Sequence, residues 1–251
     1  MEAEKISDWI RDYANNSKMK TLIVGVSGGI DSALVSTLCA MTGLPTILVS
    51  MPILQKSDQL NRATNHMDWL CSKYDNVRKE THDLTDTFNI FKETFNQEDN
   101  LSLANLRSRL RMCCLYYIAG CNRGLVIGTG NKVEDFGIGF FTKYGDGGVD
   151  LSPIADLTKT EVRQIAKSLG VSIDIIEAKP TDGLWEDDRS DEDQIGATYE
   201  ELEWAMEWLS SNDGSSLSER QKEVIAIYDN LHTANLHKMI NIPIYKKNEN
   251  L

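Results

Sequence analysis

Residues 21–40 read TLIVGVSGGIDSALVSTLCA, and the predicted architecture follows from this segment. Residues 21–26 are a continuous apolar run rich in β-branched side chains, which is typical of a strand buried on both faces. The run stops at Ser27-Gly28-Gly29, and a helical pattern begins at once with Asp31. The stretch therefore predicts a strand, a short glycine-rich loop and a helix in direct succession.

The alternation of strands and helices continues along the chain. Further strands are predicted over 46–51, 77–83 and 125–130, and helices over 2–15, 31–42, 56–73, 103–120 and 157–170, with two or three more within 198–240. This alternation predicts an α/β fold, a doubly wound parallel sheet with helices on both faces and extra helices at the C-terminus. Such sheets bind ligands at the carboxyl ends of their strands, where the glycine-rich turns 27–29 and 128–130 both fall.

The composition is that of an ordinary globular protein, and we expect a single domain over 1–251. The formal net charge of −12 argues against a nucleic-acid binder, which needs basic surface. No apolar run reaches the roughly 18 residues of a spanning helix, and the N-terminus lacks a signal-peptide core, so no membrane partner is expected. Five cysteines without CxxC spacing favour a reducing, cytoplasmic location, and thiols in helical patterns are expected to be buried.

The loop at 27–32 has the features of a phosphate-binding loop without its usual lysine. Glycines allow close approach of the backbone to a phosphate, and the free amides of the next helix favour an anion. Ser27 and Ser32 add hydroxyl groups, but Ile30 and Asp31 stand where the Walker motif would end. An aspartate can bind phosphate only through a cation such as Mg²⁺. The alternative is an ordinary turn in which Asp31 merely favours the helix N-terminus.

Two motifs carry a family resemblance. The string SGGIDS resembles the pyrophosphate loop of the ATP pyrophosphatase superfamily, whose members cleave ATP between the α and β phosphates and adenylate a substrate. This likeness implies an adenine nucleotide α-hydrolase-like fold. Residues 128–162, GTGNKVEDFGIGFFTKYGDGGVDLSPIADLTKTEV, resemble the core of the NAD synthetases within that superfamily. The segments NLRSRLRM, KPTDGLW, SDEDQIGATYEELE and NLHKMINIP resemble further parts of that family in the same order.

The resemblance implies a reaction and a set of site residues. ATP and Mg²⁺ adenylate the nicotinate carboxylate of deamido-NAD, and ammonia then displaces AMP to give NAD. The implied ATP contacts are Gly25, Val26, Ser27, Gly28, Gly29, Ile30, Asp31, Ser32, Thr129, Lys159 and Thr181. The implied deamido-NAD contacts are Arg109, Lys143, Asp150, His237 and Lys238. The implied metal ligands are Asp31 and Glu134, and the implied catalytic residues are Asp31, Lys159 and Asp150.

Several of these positions have plainer interpretations. The chain has one more residue between Glu134 and FFTK than the commonest family pattern, so Asp135 is a rival metal ligand. Arg109 could belong to a solvated helix face, and Thr181 could be a turn residue. Lys159 lies in the first turn of its helix, where a cation opposes the dipole, and this favours a functional role. The acidic stretch 185–193 is expected to be a mobile, solvated loop.

The resemblance also implies an assembly and a nitrogen source. No segment remains for an amidase domain, so we expect free ammonia as the donor. We expect a homodimer, with the face of Ile6, Trp9, Ile10 and Tyr13 and the helix at 103–120 as candidate interfaces. A tRNA-modifying ligase is disfavoured by the acidic charge and the cysteine spacing. A nucleotide-sensing module that binds ATP without catalysing a reaction is disfavoured, because Asp31, Glu134 and Lys159 are all present.

Overall fold

The computed structural model describes residues 1–95, 99–179, 191–211 and 216–247. The strands are β1 (Thr21–Gly25), β2 (Thr46–Ser50), β3 (Val77–Thr81) and β4 (Gly124–Ile127). The helices before β4 are α1 (Glu2–Asn16), α2 (Ile30–Met41), α3 (Ser57–Lys73), α4 (Thr85–Thr94) and α5 (Asn100–Asn122). After β4 come one π-helical turn (Lys132–Ile138) and α6 (Lys159–Leu169), α7 (Ile173–Ile176), α8 (Asp191–Ile195), α9 (Tyr199–Ser211) and α10 (Glu219–Met239).

The four strands form one parallel sheet in the order β3-β2-β1-β4. Ile23 in β1 lies between Ile47 in β2 and Val126 in β4, so the centre of the sheet is lined by β-branched side chains. An isolated parallel bridge from Ile127 to Leu151 continues the sheet beyond β4. The predicted parallel α/β sheet is confirmed.

Alternate residues of the strands enter two separate cores. Leu22 and Val24 pack with α1, α2, α3 and α6 on one face of the sheet. Ile23 and Val126 pack with Ile118 of α5 on the other face. Helices therefore cover both faces, as the unbroken apolar strands predicted.

A third cluster holds the C-terminal helices against the rest of the protein. Val133 and Ile138 of the π-helical turn pack against Tyr199 and Leu202 of α9 and Val224 of α10. The predicted extra helices within 198–240 are α9 and α10. Among the described helices, none combines the length and the apolar character needed to cross a bilayer.

The structure corrects three local predictions. The predicted apolar face of α1 is only partly buried, because Ile10 is buried whereas Trp9 and Tyr13 are exposed. The expectation of buried thiols is wrong for Cys113, which lies on the exposed side of α5. Helix α5 begins before its apolar pattern does, at Asn100, because the Asp99 carboxylate accepts a hydrogen bond from the Ser102 amide and caps the first turn.

Candidate active site

A cavity of about 780 Å³ opens at the carboxyl ends of β1, β2 and β4. Its floor is the loop 25–32, and its far wall is formed by α5 together with the adjoining segment 139–148 and the end of α10. Thr129 and Gly130 line it after β4. Both predicted glycine-rich turns therefore border the same cavity.

The loop at 27–32 requires glycine and is stiffened by its own serines. Gly28 has a φ of +87°, and a Cβ there would lie 2.5 Å from the carbonyl oxygen of Gln59. The Ser32 hydroxyl donates to the Gly29 carbonyl (2.9 Å) and accepts from the Ser27 amide (3.2 Å). The side chains of Val26 and Ile30 belong to the core below. The loop thus presents a fixed backbone at the N-terminus of α2, where anions are favoured.

Three charged side chains from three separate elements meet beside this loop. Lys159 Nζ lies 2.6 Å from Asp31 Oδ2 and 3.0 Å from Glu134 Oε1. The lysine side chain is 3% exposed, and those of the two acids are 17% and 15% exposed. Burial by itself lowers the pKa of Lys159, but the two carboxylates outweigh it, and the pKa is raised. Lys159 is therefore a permanent ammonium, and these acids offset its unfavourable place at the start of α6.

Glu134 and Asp135 both lie in the π-helical turn. The Asn131 side chain caps the turn, and Gly139, with a φ of +64°, ends it by donating its amide to the Glu134 carbonyl. A π-turn holds one more residue than an α-turn. Asp135 lies over Gly130, where a Cβ would overlap its carboxylate. Burial first, and then the charges of Asp146 and Glu134, raise the pKa of Asp135 well above its usual range.

The predicted substrate cations lie together on the far wall. The Arg109 Nε donates to the Lys143 carbonyl at 3.3 Å, and Lys143 Nζ donates to the His237 carbonyl at 2.9 Å. Lys238 Nζ donates to the Phe141 carbonyl at 2.8 Å. All four predicted cation-bearing residues line the cavity. Arg109 is therefore part of the cavity wall rather than only a solvated helix face.

Helix α10 fixes this wall through further side chains. His232 Nδ1 donates to the Gly137 carbonyl at 2.6 Å, and the Asn235 amide donates to the Ile138 carbonyl at 2.9 Å. These bonds satisfy carbonyl groups at the end of the π-helical turn. The wall that carries Lys143 is thus joined to the last described helix of the chain.

One predicted site residue, Asp150, does not line the cavity. Asp150 accepts hydrogen bonds from the Val126 amide (2.7 Å) and from the Tyr116 hydroxyl (3.1 Å), beside the edge of β4. It does not line the described cavity, and its catalytic and substrate-binding roles stay predictions. Thr181 lies outside the described residues.

The sequence interpretation missed three residues of the site. Asp191, within the acidic stretch expected to be solvated, is buried, begins α8 and lines the cavity. Asn131 donates to Asp31, and Tyr199 donates its hydroxyl to Glu134. Burial and the charge of Glu134 raise the pKa of the Tyr199 hydroxyl, which remains a donor. Asn131 is a residue type that favours the N-cap of a helix, so its capping role could have been predicted. Its hydrogen bond to Asp31, 100 positions away, could not, because no local pattern indicates it.

The chain is similar to known proteins over most of its length. The family model described as NAD synthase matches residues 2–249. The NH(3)-dependent NAD(+) synthetase of Alkaliphilus metalliredigens is 35% identical over 258 residues, which cover 97% of both chains. That of Carboxydothermus hydrogenoformans is 38% identical over 216 residues, 86% of this chain and 87% of its own.

Two solved structures extend the likeness to three dimensions. The NMN synthetase of Francisella tularensis superposes with a TM-score of 0.86 at 29% identity, covering 98% of this chain and 97% of its own. The NH3-dependent NAD synthetase of Campylobacter jejuni superposes with a TM-score of 0.80 at 27% identity, covering 98% of each. With the loop 27–32 and the charged cluster in one cavity, and a family match from residue 2 to residue 249, the chain belongs to the NAD synthase family.

Proposed function

We propose how the ammonia-dependent NAD(+) synthetase activity of this chain arises from the cavity. The nicotinate carboxylate of deamido-NAD attacks the α-phosphorus of ATP, a P–O bond forms, and pyrophosphate leaves. Ammonia then attacks the carbonyl carbon of the adenylate, a C–N bond forms, AMP leaves, and the nitrogen loses a proton. Neither step needs a protein nucleophile, because alignment and relief of charge supply the catalysis.

The floor of the cavity is suited to ATP. The loop 27–32 and the N-terminus of α2 would hold the phosphates, with Lys159 close to the leaving pyrophosphate. Asp31 and Glu134 converge on one ammonium, so their hard oxygen donors also fit one divalent cation such as Mg²⁺. When bound, Mg²⁺ would neutralise charge on the leaving group. Glu134, which shares the ammonium with Asp31, fits this role better than Asp135.

The far wall is suited to the deamido-NAD phosphates. The Lys143 and Lys238 amines are hydrogen-bonded to backbone carbonyls, which they can exchange for phosphate oxygens at little cost in desolvation. Arg109 adds a planar cation, and His237 adds an imidazole. The observation that carries the proposal is that one cavity joins these groups to the phosphate loop, so the nicotinate carboxylate and the α-phosphate can meet.

The Lys143→Ala variant tests whether ATP and deamido-NAD bind to separate parts of the cavity. We expect the KM for deamido-NAD to rise about tenfold, because one charge-assisted contact to phosphate is lost. The KM for ATP should stay within about twofold, because Lys143 belongs to the far wall and not to the loop 27–32. Steady-state kinetics with each substrate varied in turn would measure both. Equal increases in the two KM values would place Lys143 outside the substrate half.

A direct assay tests the proposed reaction. Purified protein, deamido-NAD, ATP, Mg²⁺ and ammonium should yield NAD, AMP and pyrophosphate in equal amounts. Glutamine in place of ammonium should give no NAD, because we propose free ammonia as the donor. Formation of ADP instead of AMP would contradict the proposed adenylation reaction. Formation of AMP without NAD would indicate that another substrate accepts the adenylyl group.

A second substrate is favoured by one observation, the TM-score of 0.86 to an NMN synthetase. Nicotinate mononucleotide carries the same reactive carboxylate and one phosphate for the same cations. We propose deamido-NAD as the main substrate because the relatives at 35% and 38% identity are NAD(+) synthetases. Equal concentrations of both acids in one reaction would decide, with the ratio of NAD to NMN as the readout.

We propose that the chain forms a homodimer through the exposed face of α5. Leu106, Leu110, Cys113 and Tyr117 follow one another at intervals of three and four residues, the spacing of a helical seam. Tyr117 is 76% exposed, which is unusual for a large aromatic side chain unless it has a partner. The other predicted surface, on α1, retains only Trp9 and Tyr13 as exposed apolar groups.

The Tyr117→Glu variant is expected to weaken the dimer about a hundredfold or more, because a charge would replace a central aromatic contact. Sedimentation velocity over a dilution series would measure the dissociation constant. Tyr13→Glu is the matched control on α1 and should leave the dimer intact. Dissociation by Tyr13→Glu alone would move the interface to α1.

A further inference from the structure

Two buried side chains, Asn131 and Tyr199, form hydrogen bonds to the paired acids Asp31 and Glu134. Asn131 and Tyr199 both have 0% exposure, and neither lines the described cavity. Asn131 makes a hydrogen bond to Asp31, and the Tyr199 hydroxyl makes one to Glu134 and a longer one, 3.5 Å, to Asp191, and all three acids line the cavity. Substitution of Asn131 or Tyr199 would therefore change the acids without removing a surface that a ligand touches.

Asn131 links the two acids through one amide group. Its Nδ2 donates to Asp31 Oδ1 at 3.2 Å, and its Oδ1 accepts from the Glu134 backbone amide at 3.1 Å. The same Oδ1 also accepts from the Val133 amide at 3.1 Å. The side chain thus fixes the start of the π-helical turn and the direction of the Asp31 carboxylate together.

Tyr199 fixes the orientation of the Glu134 carboxylate. Its hydroxyl donates to Glu134 Oε1, the same oxygen that accepts from Lys159 Nζ at 3.0 Å. Lys159 Nζ also lies 4.8 Å from the centre of the Tyr199 ring. With Oε1 held by two donors, Oε2 is the oxygen left to face a ligand.

The tyrosine itself is firmly held. It is the first residue of α9, and its ring packs with Val133, Ile138 and Leu202 in the C-terminal cluster. A donor on a packed ring keeps its direction better than a donor on a flexible side chain. The helices after residue 198 therefore contribute to the geometry of a site whose acids lie far earlier in the chain.

We infer that Tyr199 and Asn131 are positioning residues that set Glu134 and Asp31 in the orientation that binds the divalent cation of ATP. This inference rests on the proposed function, which assigns the two acids to that cation. Partners that orient metal ligands typically contribute 10–100-fold to metal affinity. The two hydrogen bonds are therefore expected to matter for cation binding more than for folding.

The test uses the full-length protein with Mn²⁺ and α,β-methylene-ATP. For Tyr199→Phe we expect the Mn²⁺ dissociation constant, measured by electron paramagnetic resonance, to rise about tenfold. The ring and its packing are retained, so the melting temperature should change little. Tyr228→Phe is the matched control, because Tyr228 belongs to the same cluster and stacks on His232. Its Mn²⁺ dissociation constant should equal that of the unmodified protein.

A second variant protects the test against misfolding. In Asn131→Ser the hydroxyl can still cap the π-helical turn, but it is too short to reach Asp31, so Mn²⁺ affinity should again fall about tenfold. Unchanged Mn²⁺ affinity in Tyr199→Phe and Asn131→Ser would overturn the inference. Absence of Mn²⁺ binding by the unmodified protein would also overturn it, whereas NAD and AMP formation, followed separately, would show whether the proposed reaction itself stands.

Discussion

Asp31→Asn is expected to lower kcat for NAD formation by about a thousandfold, or about 4 kcal/mol of barrier, while the protein stays folded. The amide has nearly the shape of the carboxylate, but its single oxygen can accept from Lys159 or from Asn131 and not from both. The negative charge that would hold a cation against the pyrophosphate is lost. Release of AMP and pyrophosphate at saturating Mg²⁺ would measure the effect.

Two neighbouring variants serve as comparisons for Asp31→Asn. Glu134→Gln should cause a similar loss, since Glu134 shares the Lys159 ammonium with Asp31. Asp135→Asn should cost less than about tenfold, because that carboxylate lies over Gly130 instead. The reverse order would make Asp135 the ligand, and full turnover by Asp31→Asn would contradict the proposed role of Asp31.

Lys159→Met is expected to abolish turnover and to destabilise the ligand-free protein by about 3 kcal/mol. Methionine keeps the length of the side chain but leaves two nearly buried carboxylates facing each other without a cation. Mg²⁺ should restore more stability to Lys159→Met than to the unmodified protein, because it would replace the missing positive charge. Urea denaturation with and without Mg²⁺ would measure both effects.

Lys167→Met is the matched control for Lys159→Met, because Lys167 is an exposed residue in the last turn of the same helix. Its free energy of unfolding should change by less than about 0.5 kcal/mol. A Lys159→Met protein as stable as Lys167→Met, and insensitive to Mg²⁺, would show that the ammonium does not balance the two acids.

The parts of the fold that were predictable are those with local causes. The strand, loop and helix of 21–40 follow from an apolar run, two glycines and a helical pattern in succession. The start of α6 follows from the capping box of Thr158 and Glu161, and its end from Gly170, whose φ is +85°. In each case the decisive residues lie within a few positions of the structure that they determine.

The parts that were not predictable depend on contacts between distant residues. Lys159 and Asp31 are 128 positions apart, and nothing in either segment indicates that they form an ion pair. The π-helical turn could not be distinguished from an α-turn in the sequence, because no local pattern in this segment indicates a π-turn. Asp150 was assigned by resemblance alone, and the sheet edge beside Tyr116 takes up its hydrogen bonds.

The bonds from α10 to the segment 137–141 also bear on how the protein is made. The floor of the cavity and the paired acids come from the first 159 residues, whereas Lys238 and its neighbours are synthesised nearly 80 residues later. Because the chain emerges from the ribosome N-terminus first, the loop 27–32 and the paired acids are synthesised before the residues of α9 and α10 that contact the acids and complete the far wall. The complete cavity can therefore exist only once translation has reached α10, so the growing chain has no finished site in which to turn over ATP.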